Sequence, residues 1–388
     1  MPVFKETTLK VSFVCFFLMT GYKLFSLYYP LFLAKKGFSL PEVGWNFFLI
    51  YLPIAIFQPL VAFFSHKTKP SNFLLFGILG YAIYSFSMIF LEKKYLFYFF
   101  QIFLGISAAL FWGSSRIILM KKHFKKPTRE FVWFYSSPIY AEGFAPALGA
   151  FLIWKFNFEG VFWVSFFLIL FTFFLSFFLF KKERFEKEKM DFKKAIKTWQ
   201  VIFEKIKKKE IFKFLIFSFL IITIGGIYHP FFVLFLKNLG FSQNQILIFV
   251  SISSFLYLPL FLFFIKKIER KTPSRNIIFG GRLCGVFSFL LGLFFYLSFL
   301  NFLSLLSFSL FEGTGRVIAG AGRSGLLSKI FEKIPEESGA FDTLFAPLGV
   351  GLGSFLGGVL ISYLTFAQIF ILGGSFVLFF SFMIKDTK

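Results

Sequence analysis

The sequence is poor in charge, histidine and cysteine. Of its 388 residues, 16% are charged and 57% are hydrophobic, with 3 histidines and 2 cysteines. So small a polar fraction cannot cover a surface that faces water, which excludes an ordinary soluble domain. Cys15 and Cys284 fall in apolar stretches without metal-ligand spacing, so no disulfide, metal centre or redox chemistry is expected.

Several function classes are excluded by what is missing. A nucleic-acid surface needs its lysines and arginines on one accessible face. Here the residues that give a formal charge of +23 lie between apolar stretches, so we expect no nucleic-acid partner. A membrane enzyme such as a lipid-modifying transferase needs clustered His, Asp or Ser, and the sequence offers neither that cluster nor a nucleotide-binding loop. We therefore expect no enzymatic activity and no cofactor.

Long apolar stretches dominate the chain instead. A helix needs about 20 mostly apolar residues to cross a hydrocarbon core of about 30 Å. Such stretches predict an all-α membrane protein with twelve transmembrane helices, at residues 11–33, 42–64, 72–91, 95–117, 131–153, 160–180, 212–235, 245–265, 276–298, 302–321, 340–363 and 366–384. The first residues lack the cleavage site of a signal peptide, so we expect the first span to be retained.

The basic residues indicate the orientation. Loops rich in Lys and Arg alternate with loops that hold few, and by the positive-inside rule the rich loops face the cytoplasm. Because the number of spans is even, both termini would also be cytoplasmic, in a multi-pass protein of the inner (cytoplasmic) membrane. The basic loops lie within residues 67–69, 121–129, 181–209, 266–275 and 329–333.

The longest polar run, residues 181–210, divides the chain into segments 1–180 and 211–388 of six predicted spans each. Its mixed charges favour a solvated, partly helical cytoplasmic linker. The alternative is an amphipathic helix that lies on anionic lipid.

The two halves repeat each other. Spans 1 and 7 both end in a Tyr-x-Pro followed by a Gly-Phe-Ser turn, at residues 28–39 and 228–242. Spans 2 and 8 both carry Tyr-Leu-Pro, at 51–53 and 257–259, and leave through KTKPSN and KTPSRN. At a constant offset, Arg116, Lys122 and Phe124 correspond to Arg323, Lys329 and Phe331. Three matches in the same order predict a duplicated chain.

This arrangement resembles the major facilitator superfamily over nearly the whole length. In span 5, AEGFAPALGA at residues 141–150 is similar to that family's antiporter glycine and proline motif and keeps Pro146 and Gly149. In span 4, Gln101 and Gly105 resemble its Arg-x-x-x-Gly pattern, with Gln in place of Arg. The segment FFSHKTKPSN, residues 63–72, lacks the family's usual Gly and Asp. The resemblance implies a monomer of two pseudo-symmetric six-helix bundles, with spans 1, 4, 7 and 10 around a central cavity.

Charged residues within spans are the main candidates for function. A charge at the bilayer centre costs about 2.5–3.5 kcal/mol on insertion scales, so each needs a buried partner or a wet cavity. Four such residues lie near the predicted midplane, two cations and two carboxylates whose charges sum to zero: Lys23, Arg316, Glu142 and Glu312. On the functional interpretation, Lys23 binds an anionic or zwitterionic solute. Glu142 or Glu312 then takes a proton, because burial disfavours a charged carboxylate. On the structural interpretation, Glu312 and Arg316 neutralise each other at positions i and i+4.

The remaining candidates have positional roles. His229 lies before Pro230 in span 7, where a structural hydrogen bond and a pH response are equally good interpretations. Arg116 and Arg323, at the inner ends of spans 4 and 10, are expected in a cytoplasmic gate network. In span 11, Pro347 with Gly357 and Gly358 would permit bending and close packing of helices, as would Pro146 and Gly149 in span 5.

These observations predict a secondary transporter that moves a small organic solute by alternating access, driven by a proton gradient. The partial span 5 motif favours export. The alternative is a proton symporter for uptake of a sugar, nucleoside or aromatic acid. The expected partners are the solute and the lipid bilayer.

Overall fold

The computed structural model describes residues 6–38, 40–122, 124–181, 192–228, 232, 235–236, 239–360 and 363–384. Within these ranges the secondary structure is helical, without strands, which confirms the predicted all-α class. The helices are α1 Glu6–Ser26, α2 Tyr29–Lys35, α3 Leu40–Ser65, α4 Pro70–Phe90, α5 Lys94–Met120, α6 Pro127–Phe180, α7 Phe192–Ile206, α8 Lys209–Tyr228, α9 Gln243–Arg270, α10 Pro273–Tyr296, α11 Phe302–Ile330, α12 Pro335–Leu360 and α13 Phe366–Met383.

In the part of the chain that is described, 11 helices are long and apolar enough to cross a membrane. One of them, α6, has 54 residues. At 1.5 Å per residue, a straight helix of that length would measure about 80 Å, more than twice the hydrocarbon thickness. The helix is interrupted at Asn157, whose φ of 58° lies in the left-handed region that Asn tolerates better than most residues. The α6 segment therefore contains two spans, predicted spans 5 and 6.

The two predicted Gly-Phe-Ser turns have the same geometry. Gly37 and Gly240 have φ of +79° and +82°, a conformation that costs glycine little because it has no Cβ. The amide of Phe38 donates to the carbonyl of Leu33, and the amide of Phe241 donates to that of Leu236, both at 3.1 Å. A hydrogen bond from the amide that follows a left-handed glycine to the carbonyl five residues earlier is a Schellman motif, which satisfies carbonyls at a helix end. The repeat seen in the sequence is thus also a repeat of structure.

The described residues form two compact units. Unit 1 comprises Met1–Lys122, Ser137–Trp199 and Glu332–Pro347, and unit 2 comprises His123–Ser136, Gln200–Phe331 and Leu348–Lys388. Three helices are divided between the units: α6 next to Pro138, α7 after Trp199 and α12 at Pro347. The domain limits 1–180, 181–210 and 211–388 stay a prediction.

Glycines allow the tightest helix contacts within each unit. In unit 1, α5 packs on α3 and α4, and a methyl group added to Gly77 of α4 would lie 2.6 Å from the amide nitrogen of Phe111. In unit 2, α10 packs on α11 and α13, and a methyl group on Gly280 would lie 2.5 Å from the amide nitrogen of Ala319. Lipid provides no hydrophobic driving force between helices, so this backbone packing contributes much of their association.

Replacement of Gly280 by Ala is expected to lower the melting temperature of the purified protein, because the added methyl must push α11 away. Overpacking of this kind costs about 1–3 kcal/mol. The matched control is Gly320→Ala, where the added methyl meets nothing within 4 Å. Equal melting temperatures for the two variants would contradict the packing described here.

Candidate functional site

An ion pair joins α1 and α6 in unit 1. The Nζ atom of Lys23 lies 3.2 Å from Oε2 of Glu142, and the two side chains are 24% and 30% exposed. Lys23 therefore finds its partner on another span, and neither charge is sealed in packed protein. Among the described residues, the pair unites two of the predicted candidates from distant parts of the sequence.

The contact between α1 and α6 extends along one face of α6. Glu142, Pro146 and Gly149 recur at spacings of four and three, which places them on one side of a helix. The hydroxyl of Tyr28, which follows α1, donates to the carbonyl of Pro146 at 3.0 Å. A methyl group on Gly149 would collide with the carbonyl of Leu24. The span 5 motif thus holds Glu142 against Lys23.

A buried polar network lies in the same unit. The Tyr29 hydroxyl donates to Oδ1 of Asn46 at 3.2 Å. The side-chain amide of Gln101 donates to the Tyr84 hydroxyl at 2.8 Å and also to the Tyr29 hydroxyl. These four side chains come from four helical segments and are nearly inaccessible. A buried polar network fixes the position of each member, because an unsatisfied partner would cost about 1–3 kcal/mol.

The second pair of intramembrane charges lies in unit 2. Nη2 of Arg316 is 2.5 Å from Oε2 of Glu312, one turn away on α11, and the side chains are 25% and 5% exposed. The thiol of Cys284 donates to the other Glu312 oxygen at 3.3 Å. A methyl group on Gly225 would lie 2.8 Å from Nη1 of Arg316, so glycine leaves room for the guanidinium. The structural pairing that the sequence allowed is present, and a role in transport stays a prediction.

Arg116, a predicted gate residue, is held by α12 within unit 1. Its Nε atom lies 3.0 Å from Oδ2 of Asp342, whose side chain is 0% exposed. Its Nη1 atom also donates to the hydroxyl of Thr343 at 3.3 Å. Its counterpart Arg323 lies in unit 2, where Nη1 donates to the Ser218 hydroxyl at 3.5 Å. The two repeated arginines therefore have different surroundings.

Two further charge clusters lie at corresponding places in the repeat. His66 and Glu269 each stand four residues before the proline that begins the next helix. In unit 1, Nε2 of His66 lies 2.8 Å from Oε1 of Glu337 at the start of α12. In unit 2, Glu269 accepts from Lys126 and Arg129, at the start of α6, at 2.9 Å each. We call these the His66 cluster, which also includes Glu336 and Lys121, and the Glu269 cluster.

The remaining candidates are placed as follows. His229 lies outside the described residues. Pro347, Gly357 and Gly358 lie on α12. A methyl group on Gly357 would collide with the backbone of Ile227, so α12 approaches α8 closely in unit 2. This is the packing role predicted for that glycine, and bending at Pro347 stays a prediction.

Sequence reasoning missed the acidic partners on α12. Asp342 falls inside predicted span 11, where an intramembrane carboxylate should have marked it as a candidate. Glu336 and Glu337 precede that span, and nothing in their local sequence identifies His66 as the partner. His66 lies in the segment 63–72, which lacks the resembling family's usual Gly and Asp, and that departure was itself a signal.

Comparison with known proteins agrees with this architecture. The model of the Major Facilitator Superfamily matches residues 11–343. The crystal structure of the human organic anion transporter MFSD10 (TETRAN) superposes with a TM-score of 0.73, at 14% identity over 99% of both chains. The proton:xylose symporter XylE bound to 6-bromo-6-deoxy-D-glucose superposes with a TM-score of 0.69, at 15% identity over 97% of this chain and 95% of that one. No curated protein matches the sequence. At these identities, the two structures support the fold alone.

Replacement of Arg116 by Met is expected to lower the melting temperature strongly, because Asp342 would keep a buried charge without its guanidinium. Breaking a buried pair in this way costs about 3–5 kcal/mol. The double variant Arg116→Met with Asp342→Leu should recover most of the loss, since it leaves no buried charge. Losses that simply add in the double variant would show that the two residues are not coupled.

Proposed function

Because this chain belongs to the Major Facilitator Superfamily of secondary transporters, we propose that it carries a small organic solute across the inner (cytoplasmic) membrane by proton-coupled alternating access. The observation that carries the proposal is the ion pair of Lys23 and Glu142. A charged pair within membrane spans costs free energy of insertion, so its presence indicates a function or a structural role. Partial exposure leaves both groups open to a ligand and a proton.

The pair suggests how an anionic solute and a proton would be carried together in symport. An acidic solute that binds the ammonium of Lys23 takes the place of the Glu142 carboxylate. Glu142 then loses the positive charge that favours its ionised form and takes up a proton more readily. The proton and the anion are therefore held at the same time, one on each partner. When Lys23 and Glu142 pair again, the solute anion and the proton are released together.

Two directions of transport follow from different observations. The partial glycine and proline motif around Pro146, which positions Glu142 against α1, favours export of the solute in exchange for protons. The Lys23–Glu142 pair itself favours simultaneous binding of an anion and a proton, as in symport of an aromatic acid. We propose export as the primary function and symport as the second candidate.

The divided helices suggest which parts move. Alternating access requires two rigid bodies to change their contact around a fixed site. Pro138 and Pro347 lie where α6 and α12 pass from one compact unit to the other, and an internal proline lacks the hydrogen bond that keeps a helix straight. We assign the bending to these two points.

Proton-driven flux in proteoliposomes tests the function. The lumen is made acidic, and a panel of labelled amphiphilic, acidic and sugar solutes is tested. Solute movement opposite to proton movement indicates export in exchange for protons. Solute movement in the same direction as the protons indicates symport. Collapse of the gradient by a protonophore should abolish accumulation of the active solute. Appearance of a modified lipid without flux of any solute would refute the transporter proposal.

The replacements Lys23→Ala and Glu142→Gln should separate solute binding from coupling. We expect Lys23→Ala to weaken binding of an acidic solute at least tenfold, because the ammonium is its charged contact. Glu142→Gln should still bind the solute and exchange it across the membrane, yet fail to accumulate it, because no proton is carried. The measurements are solute binding by melting-temperature shift and flux with and without a proton gradient. Unchanged affinity in Lys23→Ala would remove Lys23 from the site.

The partly exposed Lys10 on α1 is a matched control, because Lys10→Ala removes the same charge and side chain from the same helix. Lys10 pairs with Glu6 one turn away. That variant should bind and transport like the wild type. Equal losses in both lysine variants would point to a general effect of charge on α1.

A further inference from the structure

The His66 cluster combines three metal-ligating side chains in a nearly closed environment. His66 lies at the end of α3, while Glu336 and Glu337 form the first turn of α12, and the three side chains are 3%, 4% and 1% exposed. One donor atom from each lies within 4.8 Å of the others. Nε2 of His66 is 2.8 Å from Glu337 and Nδ1 is 3.8 Å from Glu336.

The charges of this cluster call for a cation. Two carboxylates are buried, and the ammonium of Lys121, which contacts Glu336, supplies one positive charge. Isolated buried charges cost several kcal/mol, so buried carboxylates are normally neutralised by a partner or a metal ion. Among the described residues, the Oε2 atom of Glu337 is buried without a hydrogen-bond partner. Glu337 therefore has a free lone-pair oxygen beside the imidazole, in addition to the oxygen that His66 contacts.

We propose that His66, Glu336 and Glu337 bind one divalent transition-metal ion, for which zinc is the fitting probe. An imidazole with two carboxylates is a ligand set that suits zinc, whereas magnesium takes oxygen ligands and avoids imidazole. Zinc ligands lie about 2.0–2.2 Å from the ion, so two of them at a tetrahedral angle are about 3.4 Å apart. The present separation of 2.8 Å between His66 and Glu337 opens by a fraction of an ångström to admit the ion.

Lys121 is the group that the metal displaces. Its side chain is 30% exposed, so the ammonium can leave Glu336 for solvent when an ion with two positive charges arrives. The bound ion ties the end of α3 to the start of α12 more firmly than the hydrogen bond does. The metal therefore holds this contact in place, at a site separate from the pair of Lys23 and Glu142.

The Glu269 cluster is an internal contrast. At the corresponding place in the repeat, the described residues show two carboxylates, Glu269 and the buried Glu130, paired with two cations, Lys126 and Arg129, and no imidazole. The charges of this cluster balance, so they call for no metal ion. The chain should consequently bind one zinc ion at this kind of site and not two.

Zinc titration of the purified protein, prepared without a polyhistidine tag, tests the proposal by competition with a chromophoric chelator. The wild type should bind one zinc ion and gain melting temperature, and magnesium should have no effect. His66→Gln and Glu337→Gln should each weaken zinc binding by more than about tenfold. Lys121→Gln should strengthen it, because the competing ammonium is gone. The matched control Lys67→Gln removes an equal charge beside the cluster from an exposed side chain that lies over Phe63, and should leave the affinity unchanged.

Equal zinc affinity in the wild type, His66→Gln and Glu337→Gln would overturn the proposal, as would weaker binding in Lys121→Gln. If the variants at His66 and Glu337 fail to fold, cobalt binding to the wild type decides. One equivalent of cobalt(II) should bind, show the visible absorption of a four- or five-coordinate site and be displaced by zinc. Absence of stoichiometric cobalt binding would equally overturn the proposal. None of these readouts depends on solute flux, so they stand apart from the test of transport.

Discussion

The cost of burying charge away from water is the constraint on which the rest of this structure depends. A helix within lipid satisfies its own backbone, but a charged side chain needs a partner from elsewhere. In the described chain, Lys23 finds Glu142, Arg116 finds Asp342 and Arg316 finds Glu312. The first two pairs each join distant segments and so fix which helices meet. When such a pair opens or exchanges partners, the contact between its helices changes as well, and this links charge to movement.

Much of the fold could be predicted from composition and repetition. The apolar stretches predicted limits close to those of most of the described helices, because a helix needs about 20 mostly apolar residues to cross the bilayer. The left-handed turns at Gly37 and Gly240 were visible as a repeated motif, since only glycine takes that conformation cheaply. The break at Asn157 falls in the gap between predicted spans 5 and 6, although no repeated turn motif marks that residue.

The candidate site was harder to predict, because it depends on which distant residues meet. Lys23 and Glu142 were each recognisable from the cost of a charge in a span, yet their contact follows from the close approach of Gly149 to Leu24. The partners Asp342 and Glu337 lie far in sequence from Arg116 and His66. Spacing within one helix carries no information about them. The buried network of Gln101, Tyr29, Tyr84 and Asn46 was missed for the same reason, since its members are uncharged and individually unremarkable in sequence.

The opposite polarity of the two charge clusters has a consequence for how a duplicated chain folds correctly. After duplication, the starts of α6 and α12 would have had two nearly equivalent docking places. The start of α6 carries Lys126 and Arg129, which Lys121 would repel, while the acidic start of α12 would be repelled by Glu269. Like charges placed against each other are unfavourable and so disfavour the wrong docking. The signs of a few side chains thus determine where each segment docks, because charge repulsion disfavours each segment at the other's place.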